Sequence, residues 1–312
     1  MSVGAVEQLP AWGALAGMAA LIAVALSGAV ADGVLAARSE GRRGGSLAPV
    51  AETARLLRQR RRSTVAADSL LRQIGVAGLP VAAVLKIAVL PVGAWVVSDL
   101  AVGLVWFNAM DVMVWALVWL AGWGPNSVHS LVGGYRFLAL AVAYELPLMF
   151  ALTAPAVGAG SLRMADIVAA QDGLWFVVWM PVAFLVFLAA VLAFSLQRPF
   201  TAPVSADLAG GVLTELSGVD RLLLLGGRYA LLAAGAGFGV ALFLGGGAGP
   251  WLPGWAWFLA KTVALLWLLV AVRRRVPELR PEQLMAPAWM VGLPLILLQV
   301  LVVAIVSVAG KG

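Results

Sequence analysis

A succession of long apolar runs constrains this chain more than any other feature. A helix crossing hydrocarbon needs about 20 mostly apolar residues, because each backbone polar group must be satisfied inside the segment. About eight such runs follow one another, at 12–36, 74–94, 102–123, 134–158, 174–196, 221–245, 254–272 and 287–309. Hydrophobic residues make up 62% of the chain and charged ones 12%. That balance excludes an ordinary soluble domain. The expected fold is an all-α polytopic membrane protein, one membrane domain over residues 1–312 with about eight transmembrane helices. The opening MSVGAVEQLPAWG has no Lys or Arg, and the first run is longer than a signal-peptide core. It reads as a retained span.

Charge sets the orientation. The first loop, 38–73, carries Arg38, Arg42, Arg43, Arg55, Arg58, Arg60, Arg61, Arg62 and Arg72. Arg273, Arg274, Arg275 and Arg280 precede the last run, and Arg198 and Arg221 bracket the loop at 197–220. With eight spans these loops share one side, leaving Arg163 and Lys311 on the other. Basic short loops stay in the cytoplasm, so both termini are expected outside it. The net charge of +6 is thus a topology signal, and no nucleic-acid partner is expected. Within the first loop, Val50, Ala54, Leu57 and Arg61 fall on one helical stripe, and Arg55, Arg58 and Arg62 on another. This fits a basic amphipathic helix in the membrane interface, or simply a topology anchor.

With no cysteine, the chain cannot hold a disulfide or a thiolate-bound metal or cluster. Its single histidine, His129, reads as a polar loop residue. No metal site is expected. Phosphate loops, catalytic triads and dinucleotide fingerprints are missing too, because GGGAGP lacks the strand–turn–helix setting.

Ionisable residues inside spans are costly, and they are usually paired or functional. Lys86, Asp111, Glu145 and Lys261 lie within runs, and Arg136 opens the fourth. Arg136 and Glu145 are nine residues apart, about 2.5 turns, so they face opposite ways and meet different neighbours. Pro147 follows Glu145 by two positions and frees a backbone carbonyl. A carboxyl that can hold or release a proton at that depth is what a proton path needs. A buried ion pair that fixes helix packing is the other reading.

Short motifs then accumulate in order along the chain. DGVLAARSEGRRGGS matches a first-loop pattern E-R-x4-R-x-Q-x-R-R-G-P-N at Arg38, Arg42, Arg43 and Gly44, with Asp32 at the acidic position. APVAETARLL follows the pattern Q-P-x-A-D-x-x-K-L-L, placing Glu52 and Arg55 at its charged positions. AGWGPNS, AYELP, TELSG, GGGAGP, AKT and VRRRVPELRPEQLM follow, each matching a pattern of the same family. The chain resembles the subunit 1 family of NADH-quinone oxidoreductase, the H-type membrane subunit of bacterial respiratory complex I. Relatives of that family anchor membrane-bound energy-converting hydrogenases.

The resemblance implies a membrane subunit that anchors the peripheral arm, lines the quinone chamber and couples quinone reduction to proton translocation in the bacterial inner membrane. The partners it implies are quinone-site and iron–sulfur arm subunits, small and antiporter-like membrane subunits, membrane lipid, and ubiquinone or menaquinone. NAD and the iron–sulfur clusters belong to those partner subunits, and this chain carries no cofactor of its own. Arg38, Arg42, Arg43, Glu52 and Arg55 are its expected quinone-side and arm-docking residues. Asp111, Arg136, Tyr144, Glu145, Asp207 and Glu215 are its expected proton path. Catalysis belongs to the assembly. The alternative is the membrane anchor of an energy-converting nickel–iron hydrogenase or formate hydrogenlyase-type complex. A scaffold that has kept assembly and lost coupling is a further alternative. A secondary transporter is disfavoured because the two halves show no repeat.

Several positions depart from the family. Its acidic loop, R-x-P-F-D-L-P-E-A-E-x-E-L, appears as RPFTAPVSADL, where only Asp207 keeps an acid. Phe194 stands where many members carry Glu, and residues are missing between Gly44 and Pro49. In return, Lys86 falls in an ordinarily apolar stretch and Asp111 at an ordinarily small position. With only a short turn near Asp99 between their spans, Lys86 and Asp111 are expected to face each other or share a wet pocket. They would then either replace lost carboxylates or lock two helices.

Overall fold

The computed structural model describes residues 6–10, 12–205 and 210–309, so Asp207 and Lys311 lie outside the described residues. In chain order the helices are α1 (Gly13–Ser39), α2 (Ala48–Arg58), α3 (Ser69–Ile87), α4 (Gly103–Trp123), α5 (Val128–Ala159), α6 (Met164–Ala169), α7 (Phe176–Trp179), α8 (Pro181–Phe194), α9 (Gly218–Phe243), α10 (Gly254–Arg273), α11 (Pro281–Pro287) and α12 (Leu293–Ala309). Among the described residues, seven stretches are long and apolar enough to cross a membrane: α1, α3, α4, α5, α9, α10 and the continuous helical path Gln283–Ala309.

The fifth expected span is broken. Pro181 has no amide hydrogen to donate, and Met180 sits at φ −121°, ψ 48°, outside the helical region. The run therefore splits into α7 and α8. A side chain from α12 mends the gap: Gln299 accepts the Ala183 amide at 2.7 Å and donates to the Trp179 carbonyl at 3.1 Å.

Other boundaries move for local reasons. The second span begins at Ser69, not 74, because the Asp68 carboxylate accepts the amides of Leu70 and Leu71, both at 3.0 Å. It ends at Ile87. Instead of a short turn, the segment 88–102 follows, with Pro91 and with Gly93 at φ 65°. There β2 (Trp95–Val96) pairs in parallel with β1 (Glu7–Gln8) near the N-terminus. Helix α2 stops at Arg58, so Arg61 and Arg62 leave the helical stripes on which the sequence put them. The last span carries a π turn at Ala288–Gly292, just before Pro294, whose missing amide a widened turn accommodates.

The centre of the fold is α9, surrounded by α1, α3, α8 and α10. Small residues set the helix spacings, as membrane helices require. A Cβ on Gly75 of α3 would stand 2.4 Å from the Ala121 amide nitrogen of α4. One on Gly122 of α4 would stand 2.9 Å from the Ser130 carbonyl of α5. These close approaches hold α3, α4 and α5 side by side, with their charged residues inside the stack.

Candidate functional site

Lys86, in the last turn of α3, meets Asp111, near the middle of α4: the ammonium lies 2.5 Å from Asp111 Oδ1. Both side chains are fully buried. The same ammonium lies 3.8 Å from the Phe194 ring centre and 4.3 Å from that of Phe107. Phe107 packs against Phe238 of α9, with ring centres 4.0 Å apart and the rings tilted by 32°. A charge taken out of water is thus held by one carboxylate and two aromatic faces.

Asp111 belongs to a polar stripe on α4. Asn108 and Trp115 lie three before and four after it, on one helical face. Asn108 donates to Glu145 Oε1 of α5 at 3.1 Å, and Tyr144, beside Glu145, is buried. Asp111 Oδ2, Glu145 Oε2, Asn108 Oδ1, the Tyr144 hydroxyl and Trp115 Nε1 are all buried, and the Tyr144 hydroxyl and the Glu145 carboxyl interact with Asp111. Three helices therefore bring an ammonium, two carboxyls and several buried polar atoms into one neighbourhood.

Arg136, at the other face of α5, donates to the Gly210 carbonyl at 2.7 Å. Arg136 and Glu145 thus have different partners. Glu215 precedes α9 and accepts the Ser127 hydroxyl at 2.7 Å, tying that loop to the start of α5. The carboxylate in the first turn of α9 is instead Asp220, buried and paired with Arg61 at 3.1 Å and Arg72 at 3.3 Å. Lys261 ties down the loop after α9, donating to the carbonyls of Leu244, Gly246 and Ala248 at 2.8, 3.2 and 2.7 Å.

In the first loop, Arg38, Arg42 and Arg43 are exposed, and Arg42 pairs with Glu40. Glu52 and Arg55 pair with each other on α2 at 2.6 and 2.7 Å. The Arg55 hydrogen bonds hold the Glu52 carboxyl below its ordinary range.

Sequence reasoning missed a second cluster, at the ends of α1 and α10. Asp32 takes Arg273 at 2.9 Å, Arg274 at 2.7 Å and the Tyr229 hydroxyl at 2.8 Å. Gln197, just past α8, accepts from Arg273. In the sequence, Asp32 stands out only as the acidic residue of a motif. The signal that could have found its partners is the arginine run closing the seventh apolar run.

A family model described as NADH dehydrogenase matches residues 13–304. The chain belongs to that family. Among its relatives are proteins that carry the name of the H-type subunit of NADH-quinone oxidoreductase. One from Geobacter metallireducens is 38% identical over 269 residues, 83% of this chain and 82% of that protein. Another, from Geobacter sulfurreducens, is 39% identical over 269 residues, again 83% of this chain and 82% of that protein. A third, from Geobacillus kaustophilus, is 33% identical over 323 aligned positions, covering 96% of this chain and 97% of that protein. This NADH dehydrogenase family member is therefore alike in length and order to whole subunits. The family assignment expected from sequence agrees with these matches, and the helical membrane fold agrees with the structure.

Proposed function

We propose that the chain is the membrane subunit of a complex I-type NADH-quinone oxidoreductase, which anchors the peripheral arm, walls the quinone chamber and passes the redox change into proton movement. The observation that carries this reading is end-to-end likeness to proteins named as the H-type subunit of that enzyme. Those names also favour it over the hydrogenase anchor. NAD and iron–sulfur clusters are assigned to partner subunits, since this chain has no cysteine to ligate a cluster.

The ends bearing Arg38, Arg42, Arg43, Glu52 and Arg55 face the cytoplasm in this reading and receive the arm. Protons enter by the loop of Asp207 and Glu215, beside Arg136, and reach Tyr144, Glu145 and Asp111. The Glu145 carboxyl and the Tyr144 hydroxyl both interact with Asp111, which supports a relay between the two carboxyls. The ammonium of Lys86 supplies the counter-charge.

The test is purification of the tagged chain from native bacterial membranes in mild detergent, with mass spectrometry of what accompanies it and an assay of NADH-driven quinone reduction. Quinone-site, iron–sulfur and antiporter-like subunits with rotenone- or piericidin-type inhibition are the expected result. A nickel–iron large subunit would move the chain to the hydrogenase branch, and a preparation with no such partners would overturn the proposal.

A further inference from the structure

The segment leaving α2 is built to present arginines. Gln59 departs from the helix in extended conformation, φ −76°, ψ 131°. The Gln59 side chain accepts the Gly218 amide at 3.2 Å, and Arg61, itself exposed, reaches Asp220 at 3.1 Å. The Arg62 amide donates to the Ser217 hydroxyl at 2.8 Å. Those contacts fix the backbone at the level where α3 and α9 begin, the boundary of the apolar layer. The side chains of Arg58, Arg60 and Arg62 are not held in this way. All three are exposed and have no ion pair among the described residues.

The apolar side of the same element is also uncovered. Leu47, which caps α2, and Val50 and Leu57 within it are more than half exposed, at 72%, 60% and 59%. Leu56, about 100° round the helix from Leu57, is fully buried. A stripe of aliphatic side chains beside a row of guanidinium groups at the membrane boundary fits acyl chains with anionic headgroups above them. It fits a soluble acidic protein less well, since such a surface offers nothing for the stripe.

We propose that Arg58, Arg60 and Arg62, with the Leu47–Val50–Leu57 stripe, form a binding site for the phosphate headgroups of anionic membrane phospholipid. This site goes beyond the proposed function and does not depend on it.

The test uses the full chain, in its native assembly, placed in nanodiscs of phosphatidylcholine doped with phosphatidylglycerol. The ratio of the two lipids retained by the protein is read by mass spectrometry after delipidating washes. The wild type is expected to enrich phosphatidylglycerol. Retention should fall about fivefold for each arginine replaced in Arg58→Gln, Arg60→Gln and Arg62→Gln, and should weaken as salt is raised. Arg42→Gln with Arg43→Gln, outside the proposed site, should leave it unchanged. An unenriched wild type would overturn the proposal without calling on any variant. So would equal retention in the Gln variants, or cross-linking of these arginines to an acidic partner protein in place of lipid.

Discussion

At the scale of single residues, the decisive arrangement is the pair of Lys86 and Asp111. Both lie inside spans and both are fully buried. Removing one partner strands the other charge, at a cost of about 3–5 kcal/mol, whereas replacing both by apolar groups is far milder. Lys86→Met should therefore lower the unfolding temperature of the purified assembly markedly, and Lys86→Met with Asp111→Leu should recover most of that loss. A double variant no better than the single one would mean that the cost is packing and not charge. Asp111→Asn keeps the size of the side chain and an acceptor for the ammonium, so assembly should survive. Protons moved per NADH oxidised should fall several-fold in proteoliposomes, and unchanged pumping would assign the pair to helix locking alone. These two residues were legible in the sequence because a charge inside an apolar run is conspicuous. Asp32 and Asp220 were not, because each lies near a span end, where an acid looks like a loop residue. Only the fold reveals that arginines from distant parts of the chain converge on them.

At the scale of elements, the broken fifth span shows what composition conceals. The run at 174–196 has no hydropathy dip at Met180 and Pro181, so it counts as one segment until backbone hydrogen bonds are considered. The break frees the Trp179 carbonyl and the Ala183 amide, and Gln299 of α12 satisfies both. That partner could not be read from the sequence, where Gln299 is one polar residue in an apolar helix. Gln299→Leu should leave two backbone groups unpaired, costing about 1–3 kcal/mol for each group left buried. The expected readout is faster amide hydrogen exchange over residues 176–185, with little change in α3 and α4. Protection unaltered in that window would show that α7 and α8 are held by packing alone. The break also bears on the charged site, since α8 ends in Phe194, whose ring covers the Lys86 ammonium. Loosening α8 should therefore depress coupled pumping more than it depresses NADH-driven quinone reduction.

At the scale of the whole molecule, the question is how many times the chain crosses the bilayer. Seven stretches are long enough by themselves, which would put the two termini on opposite sides. The polar contacts argue for one crossing more. Gln197, beyond the end of α8, meets Arg273 at the end of α10, which in turn meets Asp32 toward the end of α1. Trp175, before α7, lies over Lys261 among the loop carbonyls that follow α9. The broken segment thus runs from one end of the bundle to the other in spite of its short pieces, and the basic loops all gather at one end. Between Arg43 and Trp251 the chain then passes through α3, α4, α5, α7 with α8, and α9, an odd number of crossings. Because the chain has no native cysteine, single cysteines can report on this directly. Trp251 is wholly exposed, and Trp251→Cys should react with a membrane-impermeant maleimide on intact spheroplasts. Arg43→Cys should react only after the membrane is opened. Labelling of both from outside would mean that α7 and α8 form a re-entrant element, which would leave the arginine-rich loops divided between the two sides. Labelling in the reverse order would keep the crossing and invert the orientation, placing the basic loops outside, against the charge rule that predicted them within.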